Sequence, residues 1–255
     1  MSEKRIYGEN VNINHENVEK FYDDRAKRIS EMKNPYSAVL LNDHNPEAVE
    51  KRMNLEKEHI FPRLKIDKYS KVLDIGCGIG RWGEEIIPQI SSEGGYYGID
   101  FSQQMIEVAR KRTSRFENKN FKFDKMSFQE FTSDRKDKSK YNRVIMSGVI
   151  MYISDSDVFM CFKDLLAFMD GKCMIYIHEP CNLTERLTLR NFPSEALRAD
   201  YNVIYRTKPE YDRLFSVLID AGFFVSYSEY YSKLGGDIAF KENDRFYTIF
   251  ERNVT

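Results

Sequence analysis

Apolar positions along this chain change their period near residue 70. Before it, Val18, Phe21, Tyr22, Arg25 and Ile29 recur at the spacing of an amphipathic helix. Asn45 before Pro46 makes an N-cap and first-turn pair, which predicts a second helix to about Phe61, just ahead of Pro62. The first 68 residues therefore read as helical and polar. From Lys71 onward short apolar runs alternate with helical patterns. Lys71–Ile75, Tyr96–Ile99, Phe121–Phe123, Arg143–Met146 and Cys173–Ile177 read as successive strands. Between them fall a helix from about Arg81 to Ile90 and a helix capped by Ser102 that carries Met105, Ile106 and Ala109. A third, capped by Ser154, carries Val158, Phe162, Leu165, Leu166 and Met169 and is closed by Asp170-Gly171. Thr207 and Glu210 form a capping box that opens a helix with Tyr211, Leu214, Phe215, Leu218 and Ala221, stopping at Gly222. Phe223–Tyr231 and Arg245–Phe250 read as an antiparallel pair. Alternating strands and helices imply a parallel sheet with right-handed crossovers, edged by that pair. The run Asp134–Lys138 reads as a solvated loop without function.

Composition narrows the partners. The chain has 255 residues, 42% hydrophobic and 31% charged, with a formal net charge of -1. These values fit a soluble globular protein and give no reason to expect nucleic acid or an acidic membrane as partner. No apolar run reaches a membrane-spanning length, and Met1–Arg5 does not read as a secretory leader. The four cysteines, Cys77, Cys161, Cys173 and Cys181, form no CxxC pair, so free thiols in a reducing cytoplasm are expected. No His/Asp/Glu cluster has metal-ligand spacing, and no metal is expected.

The densest chemical signal is Val72-Leu73-Asp74-Ile75-Gly76-Cys77-Gly78-Ile79-Gly80. An apolar run ends in an acid and then in alternating glycines. This predicts a buried strand entering a turn too crowded for side chains, where backbone N–H groups can approach a polar ligand. Tyr96–Asp100 predicts a second strand ending in an acid, with Asp100 lying 20 residues beyond Gly80, the interval at which such folds place a carboxylate for ribose hydroxyls. Gly78-Ile79-Gly80-Arg81-Trp82-Gly83 also fits GxGxxG. It starts late, partly inside the helix, and the acid at the strand tip would repel a pyrophosphate while suiting a cationic group. A ligand bearing an ammonium and a sulfonium fits better than a dinucleotide.

On these residues, Lys71 to about Pro180 resembles the class I S-adenosylmethionine (SAM)-dependent methyltransferases. Val72–Gly80 is similar to the family's first motif, Tyr97–Ser102 with Met105 and Ile106 to its second, and Tyr141–Ile153 to its fourth-strand motif. The resemblance implies a three-layer α/β Rossmann-like fold whose seven-stranded sheet has its last strand antiparallel. It divides the chain into an N-terminal helical lid, residues 1–68, and a SAM-binding domain, residues 69–255, with a substrate-lid insertion at about 181–208. It also implies that Asp74 faces the methionyl ammonium and that Gly76, Gly78 and Gly80 give close backbone approach. Asp100 would hold both ribose hydroxyls, with Phe101 and Met105 flanking the adenine and Ser127 and Phe128 beside its edge. Cys77, Ser102, Ser147, Gly148 and Val149 complete the cofactor set. Ser127 stands where the family often has Asp, and Asn142 where many members have Asp.

Methyl transfer to an alcohol needs a base. His178, at the end of the fifth strand, is the leading candidate, with Glu179 as its rival in the role of base, orienting partner or helix cap. Tyr152 stands at the mouth of the same edge, facing acceptor or methionyl group. Arg81 suits either the cofactor carboxylate or solvent. Tyr22, Arg25 and Tyr36 lie in the leading segment, which in this family commonly covers the cofactor. Arg186, Arg190, Arg198 and Arg206, with Tyr201 and Tyr205, suit recognition of an anionic small molecule by the insertion. The alternative is an ordinary helical insertion whose arginines pair with Glu185, Glu195 and Asp200. The expected activity is SAM-dependent O-methylation of a sugar, nucleotide-linked or phosphorylated metabolite, releasing S-adenosylhomocysteine (SAH). N-methylation of an amine and a non-catalytic SAM-binding module are the alternatives. Nucleic acid is disfavoured as acceptor, and a homodimer is left open.

Overall fold

The alternating segments from Lys71 onward assemble into one sheet. A computed structural model describes residues 4–134, 139–238 and 241–253; Arg135–Lys138 of the expected solvated loop lie outside the described residues. The strands are β1 Lys4–Tyr7, β2 Lys71–Ile75, β3 Gly95–Asp100, β4 Phe121–Lys125, β5 Tyr141–Ser147, β6 Met169–Asn182, β7 Leu187–Ser194, β8 Ala199–Tyr205, β9 Phe224–Tyr230 and β10 Asn243–Asn253. The helices are α1 His15–Lys27, α2 Ser37–Leu40, α3 Pro46–Leu55, α4 Arg81–Ile86, α5 Gln103–Thr113, α6 Phe128–Ser133, α7 Asp155–Leu165 and α8 Lys208–Asp220. The large sheet has the order β4-β3-β2-β5-β6-β10-β9. β10 is antiparallel to both neighbours, and the β2–β6 pairings are parallel. The last strand thus inserts between β6 and the edge strand β9, as the resemblance implies.

Period-2 alternation gives each sheet face its own core. Leu73, Ile75, Tyr97, Ile99, Val144, Met146, Ile175, Ile177, Phe246 and Phe250 face α6, α7 and α8. Val72, Tyr96, Ile145, Met174, Tyr176, Tyr247 and Ile249 face α4, α5 and residues 55–64. Those last residues include Ile60 and Leu64, both buried. The chain just before β2 is therefore a layer of the sheet's own packing. Local rules hold well here. Asn45 Oδ1 accepts from Ala48 N–H at 2.9 Å and Ser102 Oγ from Met105 N–H at 3.1 Å, while the Glu210 carboxylate accepts from Thr207 N–H at 2.8 Å.

Several boundaries differ from the sequence reading. The helix after β2 ends at Ile86 and tightens into a 3-10 turn at Ile87–Gln89, because Pro88 lacks the N–H an α-helix needs. Asp170-Gly171 are the start of β6, not a helix stop. The leading segment is not wholly helical, since Lys4–Tyr7 is a strand. It pairs antiparallel with β7, and β7 pairs with β8. The 181–208 insertion is thus a β-hairpin completed by the N-terminus, and the helical alternative is set aside. Leu187 and Leu189 alternate with polar neighbours, and Tyr201, Val203 and Ile204 suit a half-buried strand. They pack with Val18, Phe21 and Tyr22 of α1.

The hairpin is anchored to the body by a buried ion cluster. Asp155 accepts from Arg186 Nη1 and Nη2, each at 2.9 Å, and from Arg206 Nε at 2.8 Å. Arg206 also donates to the carbonyls of Ile150 at 2.8 Å and Ile153 at 2.6 Å. Arg186 is 4% exposed and Arg206 is fully buried. The insertion arginine expected to hold substrate is instead a structural clamp. Asp155→Ala leaves Arg206 buried without a carboxylate and Arg186 with only Glu210, at 3.4 Å, and the urea midpoint should fall by the equivalent of about 3 kcal/mol. A change under about 1 kcal/mol would show that the clamp is solvated like a surface pair.

Candidate functional site

The order of the sheet reverses at β2, with β3 on one side and β5 on the other. In open α/β sheets the crevice at such a point, beyond the strand C-termini, is where ligands bind. There the chain turns through Gly76, Cys77 and Gly78. Gly76 has φ +69° and Gly78 has φ +53°. A Cβ on Gly76 would lie 2.4 Å from Val149 Cγ2, and one on Gly78 2.6 Å from Val39 Cγ1. Both left-handed geometry and space demand glycine. The turn is tied down by Cys77 N–H donating to the Ile99 carbonyl at 2.9 Å and Gly80 N–H to the Cys77 carbonyl at 3.0 Å. The Asp100 carboxylate accepts from Gly78 N–H and from Ser102 N–H, each at 2.9 Å.

Two acids therefore flank the turn. Burial lifts Asp100 to about 6 against the pull of its N–H donors. Burial lifts Asp74 to about 7, opposed by the hydroxyl of Tyr96, which donates to it. Asp74 is 1% exposed, and that phenol is its one hydrogen-bond partner among the described residues. A cationic ligand group beside Asp74 would favour its ionised form, so the donor set fits an ammonium. α1 covers the chain just beyond Asp100. Tyr22 meets Phe101 edge-on at 5.9 Å, and Met105 is buried in the same cluster. Asp23 accepts from Ser102 Oγ at 2.5 Å and from Gln104 N–H at 3.3 Å.

A cavity of about 370 Å³ opens beside the turn. Its lining includes Gly76, Cys77, Gly78, Ser147 and Gly148 at the turn, Arg52, Arg81 and Trp82, the tyrosines Tyr22, Tyr152, Tyr201, Tyr205 and Tyr231, and Arg245. The Tyr22 and Tyr152 hydroxyls lie 2.8 Å apart, and those of Tyr152 and Tyr201 3.1 Å apart. This hydroxyl chain joins α1, the turn before α7, and β8. Burial pushes Tyr152 and Tyr201 well above the usual phenol range.

Other expected site residues lie elsewhere. Glu179 points to the opposite sheet face from His178 and accepts from the N–H groups of Val149 and Ile150 at 2.8 Å and Met151 at 3.1 Å. It caps the backbone there, and no lone pair is aimed at the cavity. Val149 crowds the Gly76 turn from that capped segment. His178 is fully buried and stacked on Tyr247 with ring centroids 4.8 Å apart. Its Nδ1 lies 3.0 Å from Ser147 Oγ and 3.2 Å from Arg52 Nη2. Burial, then Arg52, Arg245 and Arg81, hold its pKa well below the usual imidazole range. His178 is thus a weak base with its ring engaged, and it positions Arg52. Arg25 is 1% exposed and donates to Asp43 and to the carbonyls of Ser37 and Ala38. Tyr36 donates to Glu84 at 2.8 Å, outside the cavity wall. Arg190 faces Lys4 in the β1–β7 register, and Arg198 lines a separate hollow with Arg28, Lys33 and His44. Ser127 caps α6 with Glu130, and Phe128 packs on Phe162 in the core on the α6–α8 side of the sheet.

The sequence reading passed over Arg52, Glu56 and Arg245. Arg52 and Glu56 are one turn apart, which reads as an ordinary surface pair. Arg245 falls in phase with Tyr247 and Ile249 on β10, an inward position, and that phase was the available signal.

A family model described as a methyltransferase domain matches residues 66–253. A demethylmenaquinone methyltransferase from Staphylococcus epidermidis is 32% identical over 84 residues, 30% of this chain and 35% of that protein. The chain thus matches about a third of the length of the first curated relatives. A cyclopropane synthase from Mycobacterium tuberculosis overlays with a TM-score of 0.63 at 12% identity, covering 94% of this chain and 99% of that one. A magnesium protoporphyrin IX methyltransferase from Synechocystis, solved with bound SAM, overlays with a TM-score of 0.59 at 14% identity, covering 92% and 95%. At these identities the shared property is the fold.

The raised acids give a pH signature. Because burial lifts Asp74 and Asp100 above the ordinary carboxylate range, the folded chain binds more protons than the unfolded chain between about pH 4 and 7. Stability is full below that window and falls as pH rises through it, by up to about 1.4 kcal/mol per pH unit for each group. Urea midpoints of the ligand-free chain should drop from pH 5 to pH 7, and Asp74→Asn should make the drop shallower. An identical slope in that variant would mean Asp74 titrates alike in both states.

Proposed function

The chain belongs to the methyltransferase-domain family, and we propose that it transfers the methyl group of SAM to an oxygen of a small, polar, anionic acceptor. The observation that carries this reading is the pair of buried acids, Asp74 and Asp100, on adjacent strand tips around the left-handed glycine turn. In this reading Asp74 faces the methionyl ammonium and Asp100 the ribose hydroxyls, while Gly76 and Gly78 admit the cofactor to the backbone. α1 acts as a lid. Tyr22 on Phe101 and Asp23 on Ser102 are the contacts that would have to part to admit the nucleoside.

When bound, SAM supplies an electrophilic methyl carbon. The protein's part is alignment and proton handling. Holding an acceptor oxygen in line with that carbon can contribute roughly 7–11 kcal/mol. The hydroxyls of Tyr22, Tyr152 and Tyr201 form a chain along the cavity wall, each able to donate and accept. With their pKa values pushed up they stay protonated, so they orient an acceptor hydroxyl, and the proton it loses as the methyl group arrives passes along the chain to water, each phenol giving up one proton as it takes another. His178, held off the cavity, keeps Arg52 in place.

SAH should bind the full-length chain in calorimetry, with Asp100→Asn weakening it by about tenfold or more. In a metabolite screen scored by SAH release, Tyr152→Phe should lower kcat for a hydroxyl acceptor by about 10²-fold with SAH affinity unchanged. Absence of SAH binding would remove the reading. An amine acceptor whose kcat ignores the substitution would move the transfer to nitrogen.

A further inference from the structure

Residues opposite one another across the sheet share a face. By this rule Asp74 on β2, Ser147 on β5, Tyr176 and His178 on β6, and Tyr247 and Arg245 on β10 stand in one polar row along one face. Ser147, His178 and Tyr247 are directly opposite one another, Asp74 and Tyr176 flank Ile145 one step back, and Arg245 lies one step on, opposite Pro180. Over the far end of the row, Arg52 comes down from α3 onto His178. Just beyond Arg52 the helix widens into a π turn, Glu56–Ile60, a rare geometry often found where a side chain is re-aimed for function. It brings Glu56, 1% exposed, between two guanidiniums: Arg52 Nε at 3.3 Å and Arg81 Nη1 in closer contact. One carboxylate therefore serves two arginines. The half-buried Arg245 guanidinium makes no hydrogen bond or ion pair among the described residues. Trp82 Nε1, Tyr176 OH and Tyr247 OH are buried without a partner beside this cluster, and those side chains are 5%, 0% and 0% exposed. Native structures leave few buried polar groups unmatched. Three acids also line the cavity: Asp237 is paired with Lys51 at 2.8 Å, Asp244 accepts from Ser232 Oγ at 2.5 Å, and Glu242 is half-buried.

We propose that the end of the cavity between Arg52 and Arg245 is a subsite for a phosphoryl dianion carried by the methyl acceptor. Arg52 and Arg245 both line this end of the cavity, Glu56 is shared between Arg52 and Arg81, and a doubly charged phosphate monoester suits two such guanidiniums. Guanidinium forks suit its oxygens, and the repulsion between Arg52 and Arg245, which helps hold Arg52 below its usual pKa, is relieved by an anion between them. Position separates this subsite from the cofactor carboxylate. From β2, where the methionyl group sits, to β10 is three strand steps, about 14 Å. Arg81, beside the glycine turn, remains the arginine within reach of the cofactor. The subsite deepens the methyl-transfer reading above and rests on it.

The test is calorimetric titration of the full-length chain with inorganic phosphate at saturating SAH. Phosphate should bind the SAH complex and acetate more weakly. Arg245→Gln, at a half-buried position, should weaken phosphate binding by about tenfold or more while SAH affinity and far-UV circular dichroism stay unchanged. Phosphate that competes with SAH would assign the anion site to the cofactor carboxylate and overturn the proposal. So would phosphate binding equal in wild type and Arg245→Gln, or no binding at millimolar concentration. Failure of SAH itself to bind would instead defeat the methyl-transfer reading, which keeps the two failures apart.

Discussion

Every charge this chain buries has to be met by a partner, and most of those partners come from distant parts of the sequence. An unpaired buried ion costs several kcal/mol, so each such pairing fixes where two segments meet. Asp155 at the start of α7 takes Arg186 and Arg206, and the hairpin is thereby joined to the sheet. Arg25 of α1 takes Asp43 and two carbonyls, which folds residues 37–43 back onto the helix. Glu56 takes Arg52 and Arg81, locking the leading segment to the helix after the glycine turn. Glu179 and Asp100 are satisfied by backbone N–H groups, so each braces a turn.

Compensation is incomplete at several of these groups. Asp74 has a phenol and no cation in hydrogen-bond reach, Arg245 has no carboxylate among the described residues, and Trp82, Tyr176 and Tyr247 are among the buried residues that keep a polar atom unmatched. They lie on the same side of the sheet, where Trp82 and Arg245 line the cavity. A folded chain tolerates such debts where a ligand settles them, and local rules are broken at functional sites for that reason. The two halves of the row carry opposite signs. The acid end lies at β2 and the arginine end at β6 and β10, which in the proposed reading would order a cationic donor and an anionic acceptor along one crevice.

The tyrosine chain connects this crevice to the parts able to move. Tyr22 belongs to α1, Tyr152 to the body and Tyr201 to the hairpin. Their hydroxyls hold the two covering elements to the sheet with neutral hydrogen bonds, which are individually worth about 1 kcal/mol. The ion clusters are the stronger ties and sit outside the cavity.

How much was legible in the sequence follows from the range of the interactions. The strand that ends in Asp74, the glycine turn, Asp100, the Ser102 and Thr207 caps and the alternation of strands and helices depend on neighbours a few residues away or on a period of two or three to four. These determined the α/β sheet and the cofactor half of the site. The insertion's arginines could not be read, because Arg206 and a ligand-binding arginine are the same residue type until Asp155 is placed beside one of them. Glu179 resembled a base until three N–H groups were seen to use its oxygens. The N-terminal strand was hidden because Lys4–Tyr7 has no apolar pattern of its own and is a strand only against β7. Arg52, Glu56 and Arg245 are scattered over nearly 200 positions of sequence. Only the register of β10 on β6 and the π turn after α3 bring them together, since electrostatic partnership is set by distance in space, and local sequence carries no record of it.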